Sequence, residues 1–236
     1  TSAKRASGGY LEKLDAGVTG LRIGMPVGFF MDPIDPQTQA AFLAAVEVVR
    51  ELGAEVTPVD VSYLVGSLEA EFAIVSPEAA AYHHANLCGN PGLIDPSIRA
   101  MLVAGAALPS SYYLRALRWR QVVADQMRET FVGNRLDAFI TPTVPAPAQL
   151  HDQEEFAYPG GEEPVISSFV RTTAPFNLTG QPALSVPCGF TDDVLPLGLQ
   201  VVGRPFAEDM VLRIGNAYEQ ATDWVAQIPP THVTKG

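Results

Sequence analysis

The spacing of apolar and polar positions in the first quarter of the chain predicts a strand, a helix and a second strand. Residues 21–27 form a short apolar run of the kind that makes a buried strand. Asp35, which proline follows, fits a helix N-cap, and Gly53 fits the end of the same helix. Residues 55–61 alternate as a strand does, so the order of elements predicts a right-handed parallel crossover. The predicted buried face of the helix consists of Phe42, Val46 and Val49.

The middle of the chain has the apolar spacing of helices. Residues 65–131 follow this pattern almost throughout, with predicted breaks near Pro77, at residues 89–92 and at Pro109. Residues 137–141 are then a short apolar run, which predicts a strand that leads into a proline-rich segment. Helices placed between strands in this way favour a layered arrangement.

The last third of the chain returns to strands. Residues 151–163 contain five acidic side chains and neither lysine nor arginine, which predicts a solvated loop. A helix is predicted at residues 167–178, strands at 183–188 and 199–202, and a closing helix at 207–221. The predicted fold class is therefore α/β, with a mixed β-sheet layered between helices.

Composition limits the partners of the chain. Its 236 residues are 47% hydrophobic and 17% charged, which is an ordinary globular balance. The formal net charge of -11 would repel a phosphate backbone, so nucleic acid is not an expected ligand. No apolar run approaches the roughly 20 residues that span a bilayer, and no membrane partner is expected. Residues 1–16 are polar and predict a linker, which a single α/β domain follows over residues 17–236.

Complete catalytic motifs are missing from the sequence. The four histidines have no metal-ligand spacing, and there is no Gly-x-Ser-x-Gly elbow. A lysine acts as a general base only when burial or a neighbouring cation depresses its pKa, yet Lys4, Lys13 and Lys235 lie in polar terminal stretches. Cys88 and Cys188 are predicted to be buried and reduced, which favours a cytoplasmic location. We therefore predict no catalytic residue in this chain, no metal and no organic cofactor.

Three segments near the end of the chain resemble the amidase signature enzymes, which are hydrolases that cleave amide bonds with a serine. The segments are DAFITPTVPAP at residues 137–147, PFNLTGQPALSVPCGF at 175–190 and LPLGLQVVGRPF at 195–206. The resemblance extends over residues 17–221 and implies the carboxy-terminal half of that family's fold. It also implies a small-molecule amide as substrate and, as partner, an amino-terminal half that carries the family's Ser-Ser-Lys triad. The chain begins at Thr1 with neither Met nor an apolar leader, which predicts a start inside a longer protein.

The same resemblance implies a set of residues that shape the substrate cleft. Arg120 has helical spacing with apolar neighbours, so its guanidinium is predicted on an apolar stripe, where it requires an anionic or carbonyl partner. A snorkelling or internally paired Arg120 is the alternative. Residues 180–189 also have two interpretations, as a cleft wall or as a tight joint between helix and strand. The implied cleft residues are Arg120, Thr141, Thr143, Phe176, Asn177 and Gln181.

Other functions stay open at this point. The A subunit of the tRNA-dependent amidotransferase is in the same family and uses an Asp ahead of its Asn-Leu-x-Gly segment, where this chain has Val170. That difference and the acidic charge favour a general amidase. A non-catalytic scaffold or binding domain with the same fold is a further alternative, whereas no glycine fingerprint supports a nucleotide-binding or sugar-binding domain. Because half of a fold would expose apolar sheet surface, association into a homo-oligomer is also considered.

Overall fold

The chain folds around a mixed β-sheet in the computed structural model, which describes residues 9–227. Within these residues the strands are β1 (Arg22–Val27), β2 (Glu55–Asp60), β3 (Ala138–Pro142), β4 (Glu155–Tyr158), β5 (Gly161–Pro164), β6 (Ala183–Phe190) and β7 (Pro196–Gly203). The main sheet has the order β2-β1-β3-β7-β6, and β4 pairs with β5 in a separate hairpin.

The mixed character predicted for the sheet is confirmed. β1 pairs in parallel with β2 on one side and with β3 on the other, so the predicted parallel crossover between β1 and β2 is present. β7 runs antiparallel to both β3 and β6. Antiparallel neighbours need only a short connection, and the polar turn at residues 191–195 joins β6 to β7.

The described part of the chain also contains eight α-helices. They are α1 (Pro36–Glu51), α2 (Ser67–Tyr82), α3 (His84–Gly89), α4 (Pro96–Ala107), α5 (Ser110–Gly133), α6 (Val165–Arg171), α7 (Ala174–Thr179) and α8 (Glu208–Gln220). The breaks predicted at residues 89–92 and at Pro109 are confirmed, since α3 ends at Gly89 and α5 begins at Ser110. Within residues 9–227 no helix combines the length and the apolar character needed to cross a bilayer.

Helices α1 and α8 cover one face of the sheet. Asp35 caps α1 as predicted, because its carboxylate accepts hydrogen bonds from the backbone N–H groups of Gln37 and Thr38, both at 2.9 Å. The helix face predicted for α1 is buried against the sheet. The core on this side includes Phe42, Val46 and Val49 from α1, Val211, Ile214 and Tyr218 from α8, and Ile23, Ile140 and Val201 from the sheet.

Helices α5 and α7 lie on the opposite face, which completes the predicted layers. Phe131 of α5 meets Phe139 of β3 edge-on, with 4.5 Å between ring centroids. Phe30, in the loop after β1, stacks on Phe176 of α7 at 5.6 Å. The core on this side includes Val123, Met127 and Phe131 from α5, Phe139 and Val202 from the sheet, and Phe30 and Phe176.

The break predicted near Pro77 is wrong, because α2 continues through that residue. Proline cannot donate the backbone hydrogen bond of its turn and usually kinks or ends a helix. Here α4 packs directly against this turn at Gly105, where an added Cβ would lie 2.3 Å from the carbonyl oxygen of Ser76. This tertiary contact supports the turn, and the local sequence does not reveal it.

The acidic segment at residues 151–163 is only in part the solvated loop that its charge predicts, because part of it forms the β4–β5 hairpin. Four of its five acidic side chains are exposed, but Glu163 is partly buried and accepts a hydrogen bond from Arg171 Nε at 3.0 Å. Arg171 is 7% exposed and also donates to the carbonyl oxygens of Phe29, at 2.6 Å, and Pro33, at 2.7 Å. Its planar guanidinium therefore holds the hairpin to the loop after β1.

We expect Gly105→Ala to destabilise the protein, because the new methyl group would meet the backbone of Ser76 rather than a side chain that can move aside. Overpacking of this kind costs roughly 1–3 kcal/mol, which would lower the midpoint of urea unfolding. Gly133→Ala is the matched control, since Gly133 is also helical and its added Cβ meets no atom within 4 Å. Equal midpoints for the two variants would contradict the close packing of α2 and α4.

Candidate functional site

A buried carboxamide lies on the sheet face that α5 and α7 cover. Gln200 of β7 is 5% exposed and stands opposite Thr141 of β3 in the strand register. Its Nε2 donates to Thr141 Oγ1 at 3.0 Å and to the carbonyl oxygen of Thr172 at 3.3 Å. Both bonds matter, because a buried amide without partners loses its bonds to water and gains none in return. Gln200 thereby ties β3, β7 and the connection between α6 and α7 together.

The helix predicted at residues 167–178 is in fact two helices, α6 and α7, which meet at Thr172 and Thr173. Pro175 lies in the first turn of α7, where its missing N–H and fixed φ fit a helix start rather than an interior. Because the helix stops there, Thr172 faces the sheet, and its hydroxyl donates to the carbonyl oxygen of Thr143 at 2.8 Å. The α6–α7 connection is thus bonded to the end of β3 as well as to β7.

Two hydroxyl groups meet on the open part of the same sheet face. Thr143 Oγ1, just after β3, lies 2.7 Å from Ser185 Oγ on β6. Gly198 of the intervening β7 permits this contact, since a Cβ there would lie 2.7 Å from Thr143 Oγ1 and 2.9 Å from Ser185 Oγ. Both Ser185 and Gly198 lie in segments that carry the family resemblance, at residues 175–190 and 195–206, but the resemblance did not name either as a site residue. The alternation of β6 is nevertheless a usable signal, because it turns Ser185 away from the buried Val186.

The predicted site residues of α7 and its end lie in different environments. Phe176 is 3% exposed within the core, whereas Asn177 is exposed. Gln181 is largely buried; its Oε1 accepts a hydrogen bond from the hydroxyl of Thr179, and its backbone N–H donates to the carbonyl of Phe176 at 3.3 Å. Gly180 closes α7 with a φ of 76°, in the left-handed region that glycine favours. The backbone here is a tight joint between helix and strand, and a cleft-lining role stays a prediction.

Arg120 of α5 reaches the carboxyl-terminal end of α7. Its Nε donates to the carbonyl oxygen of Leu178 at 2.6 Å, which satisfies a carbonyl that has no partner within the helix. Arg120 shares the face of α5 that carries the buried Ala116, Val123 and Met127, although the residue itself is exposed. The alternative of an internally paired Arg120 therefore holds for its Nε atom. Neither of its Nη atoms has a hydrogen-bond partner among residues 9–227.

A carboxylate completes this second group. Glu71 of α2 is half-buried, and burial raises its pKa, while a hydrogen bond with Asn177 and the charge of Arg120 act in the opposite direction. Asn177 and Arg120, both predicted site residues, are therefore brought together by a residue that the sequence analysis misses. Its signal is helical spacing, because Glu71 precedes the buried Ile74 by three positions and so lies beside the apolar stripe of α2.

Neither group contains a nucleophile beside a base in the part of the chain that the structure describes. Burial raises the pKa of the Cys188 thiol to about 12, so it stays protonated. Cys88 is exposed on α3, which has no buried residue, so the prediction that both cysteines are buried is wrong for it. The Lys13 side chain is 65% exposed and lacks the burial that a neutral catalytic lysine requires, and Lys4 and Lys235 lie outside the described residues.

The arrangement can therefore bind and orient polar groups, and within residues 9–227 neither of the two groups sets a nucleophile beside a base. Over the same residues no group of three or more His, Cys, Asp and Glu side chains could hold a metal ion. The two groups of predicted residues flank one short segment, residues 172–181, which is bonded to the sheet at Thr172 and to α5 at Leu178.

The sequence and the fold of this chain are both similar to those of known proteins. The model of the Amidase family matches residues 1–212. The chain is 38% identical over 221 residues to an amidase of Pseudomonas putida, an alignment that covers 93% of this chain and 47% of that protein. It is 33% identical over 258 residues to the A subunit of a glutamyl-tRNA(Gln) amidotransferase from Chloroflexus aggregans, with coverages of 97% and 50%. The crystal structure of a bacterial aryl acylamidase of the amidase signature family superposes with a TM-score of 0.80 at 25% identity, covering 94% of this chain and 48% of that one.

All three relatives are matched over only about half of their length. Nearly the whole of this chain aligns, yet it spans only about half the length of the curated relatives it matches. The family resemblance carried by residues 137–206 is confirmed, and so is the partial amidase signature fold. The chain belongs to the amidase family.

Proposed function

We propose that this chain is the carboxy-terminal half of an amide hydrolase and forms one wall of its substrate cleft. The observation that carries the proposal is the half-length match, in which 93% of the chain aligns with 47% of an amidase. The site supports it, because its two groups of described residues offer polar side chains for binding and no nucleophile beside a base. The Ser-Ser-Lys triad implied by the resemblance would then belong to the other half of the protein.

The complete protein would transfer the acyl group of an amide to a serine and then to water. One serine attacks the carbonyl carbon, and the second serine passes the released proton to the neutral lysine; that proton returns to the nitrogen as the C–N bond breaks and the amine leaves, after which water hydrolyses the acyl-serine. Backbone N–H groups stabilise the oxyanion that forms. This chain would contribute substrate orientation, which accelerates a reaction by holding the reacting groups in place.

The two threonines at the end of β3 have different proposed roles. The Thr141 hydroxyl is buried and already bonded, since it donates to the carbonyl of Pro142 at 3.1 Å and accepts from Gln200 at 3.0 Å. Thr141 would therefore position its neighbours rather than touch substrate. The Thr143 hydroxyl lies on the open face and would contact substrate directly.

The residues around α7 would form the other side of the cleft wall. Asn177 and Arg120 present an amide and a guanidinium at its exposed surface. Phe176 and Gln181 are buried, so we propose that they act by holding the α7 backbone in place. A guanidinium at this point favours substrates that carry a carboxylate or several carbonyl groups.

An amidotransferase A subunit is the second candidate, because one such protein aligns with 97% of the chain. Two observations favour the amidase. The identity to the Pseudomonas putida amidase is 38%, against 33% to the amidotransferase protein, and Val170 stands where the resemblance leads us to expect an Asp. A non-catalytic scaffold, a homo-oligomer and a cytoplasmic location stay predictions.

We expect the full-length protein to release ammonia from simple amides and to carry its nucleophile outside this chain. The test is to label the active protein with a serine-directed amidase inhibitor and to locate the adduct by peptide mass spectrometry. All label should map outside residues 1–236. An adduct on a hydroxyl within those residues would overturn the proposed division, whereas a full-length protein that releases no ammonia from a broad amide panel would favour the scaffold.

We expect Arg120→Ala in the full-length protein to raise KM for amides that bear a carboxylate by about tenfold, because one charge-assisted hydrogen bond is lost. The KM of neutral amides should change little. Arg118→Ala is the matched control, since Arg118 is exposed on the same helix. Equal losses on charged and neutral amides would show that Arg120 acts only by holding Leu178, and unchanged kinetics would remove it from the site.

A further inference from the structure

The contact between Thr143 and Ser185 is held in place by three strands. The backbone N–H of Thr143 donates to the carbonyl of Gly198 at 2.8 Å, and the Thr143 carbonyl accepts from Thr172 at 2.8 Å. Ser185 is paired through β6 to β7, in register with Gln200. Both backbones are thus fixed, and the absence of a side chain at Gly198 leaves the space in which the two hydroxyls meet.

The number of hydrogen bonds that this pair can still make determines what it can bind. Each hydroxyl has one donor and two acceptor lone pairs. When one hydroxyl donates to the other across 2.7 Å, the pair keeps a single free O–H donor and has free lone pairs beside it. The pair therefore matches a ligand group that presents one acceptor and one donor side by side. A carboxylate presents two acceptors and fits less well.

We propose that the Thr143–Ser185 pair binds the edge of a primary carboxamide and so selects primary amides as substrates; this inference rests on the proposed amidase function. On a primary amide the carbonyl oxygen and one N–H lie on the same edge. The free O–H donates to that oxygen, and the amide N–H donates to the other hydroxyl, which closes a ring with the bond between Thr143 and Ser185.

Secondary amides cannot form this ring. They strongly prefer the trans form, in which the N–H and the carbonyl oxygen lie on opposite edges. One of the two bonds to the hydroxyl pair is then lost. Because the lost hydrogen bond lowers the affinity for a secondary amide, the hydroxyl pair discriminates between amides by the substituent on their nitrogen.

The inference is tested in the full-length protein with benzamide and N-methylbenzamide, which share one acyl group. Ser185→Ala removes one hydroxyl, whereas Gly198→Ala keeps both and forces them apart. We expect each variant to lower the preference for benzamide in kcat/KM by about tenfold, the size of one hydrogen bond. Ser185→Thr should restore it, because it returns the hydroxyl. Ser111→Ala, at an exposed serine of α5, is the control and should leave the preference unchanged.

The outcomes separate this inference from the proposed function. Equal losses on both amides, or no loss in Ser185→Ala, would overturn it and leave the pair as a joint between strands. If Gly198→Ala does not fold, Ser185→Ala decides alone, since it removes one hydroxyl and adds no atom that could clash. If the protein hydrolyses neither amide, the proposed function fails, and titration calorimetry still decides the inference. Wild type that binds benzamide no better than N-methylbenzamide or benzoate would then refute it.

Discussion

The candidate site depends on the buried carboxamide of Gln200. A buried amide group is costly, and this one is tolerated only because Thr141 and Thr172 accept its hydrogen bonds. Those two partners are 31 residues apart along the chain and belong to different layers of the fold. The requirement to satisfy one polar group therefore fixes a strand end and a helix junction relative to each other, more specifically than apolar packing alone would.

The other contacts of the site extend outward from the two partners of Gln200. Thr172 bonds Thr143, Thr143 meets Ser185, and the α7 helix that begins after Thr173 is held at its far end by Arg120. The segment between these contacts has little freedom, since it is bonded at both ends and carries Phe176 into the core. As the proposed cleft wall, this segment would be ordered before substrate arrives, which would reduce the entropic cost of binding.

Local sequence was sufficient for most of the elements and insufficient for the contacts between them. The N-cap at Asp35 and the strands of the sheet depend on neighbouring residues, so their patterns predict them correctly. The continuity of α2 through Pro77, and the hairpin held by Arg171, depend on partners far away in the chain. The family resemblance named Thr141 and Thr143 without indicating that only one of their hydroxyls is open. It missed Glu71, because helical spacing places this carboxylate beside the apolar stripe of α2 without indicating its neighbours Asn177 and Arg120.

With the proposed division of labour, the composition of the site would let this half of the fold vary in selectivity without altering the chemistry. The open sheet face is made of serine, threonine and glycine, which have few rotamers to lose and no charge to disturb a distant lysine. Substitution among such residues changes which polar edge fits while leaving the proposed nucleophile and base untouched. Relatives named as an amidase, an aryl acylamidase and part of an amidotransferase share this architecture. The proposed division of specificity and catalysis between two halves of one fold would be compatible with that variety.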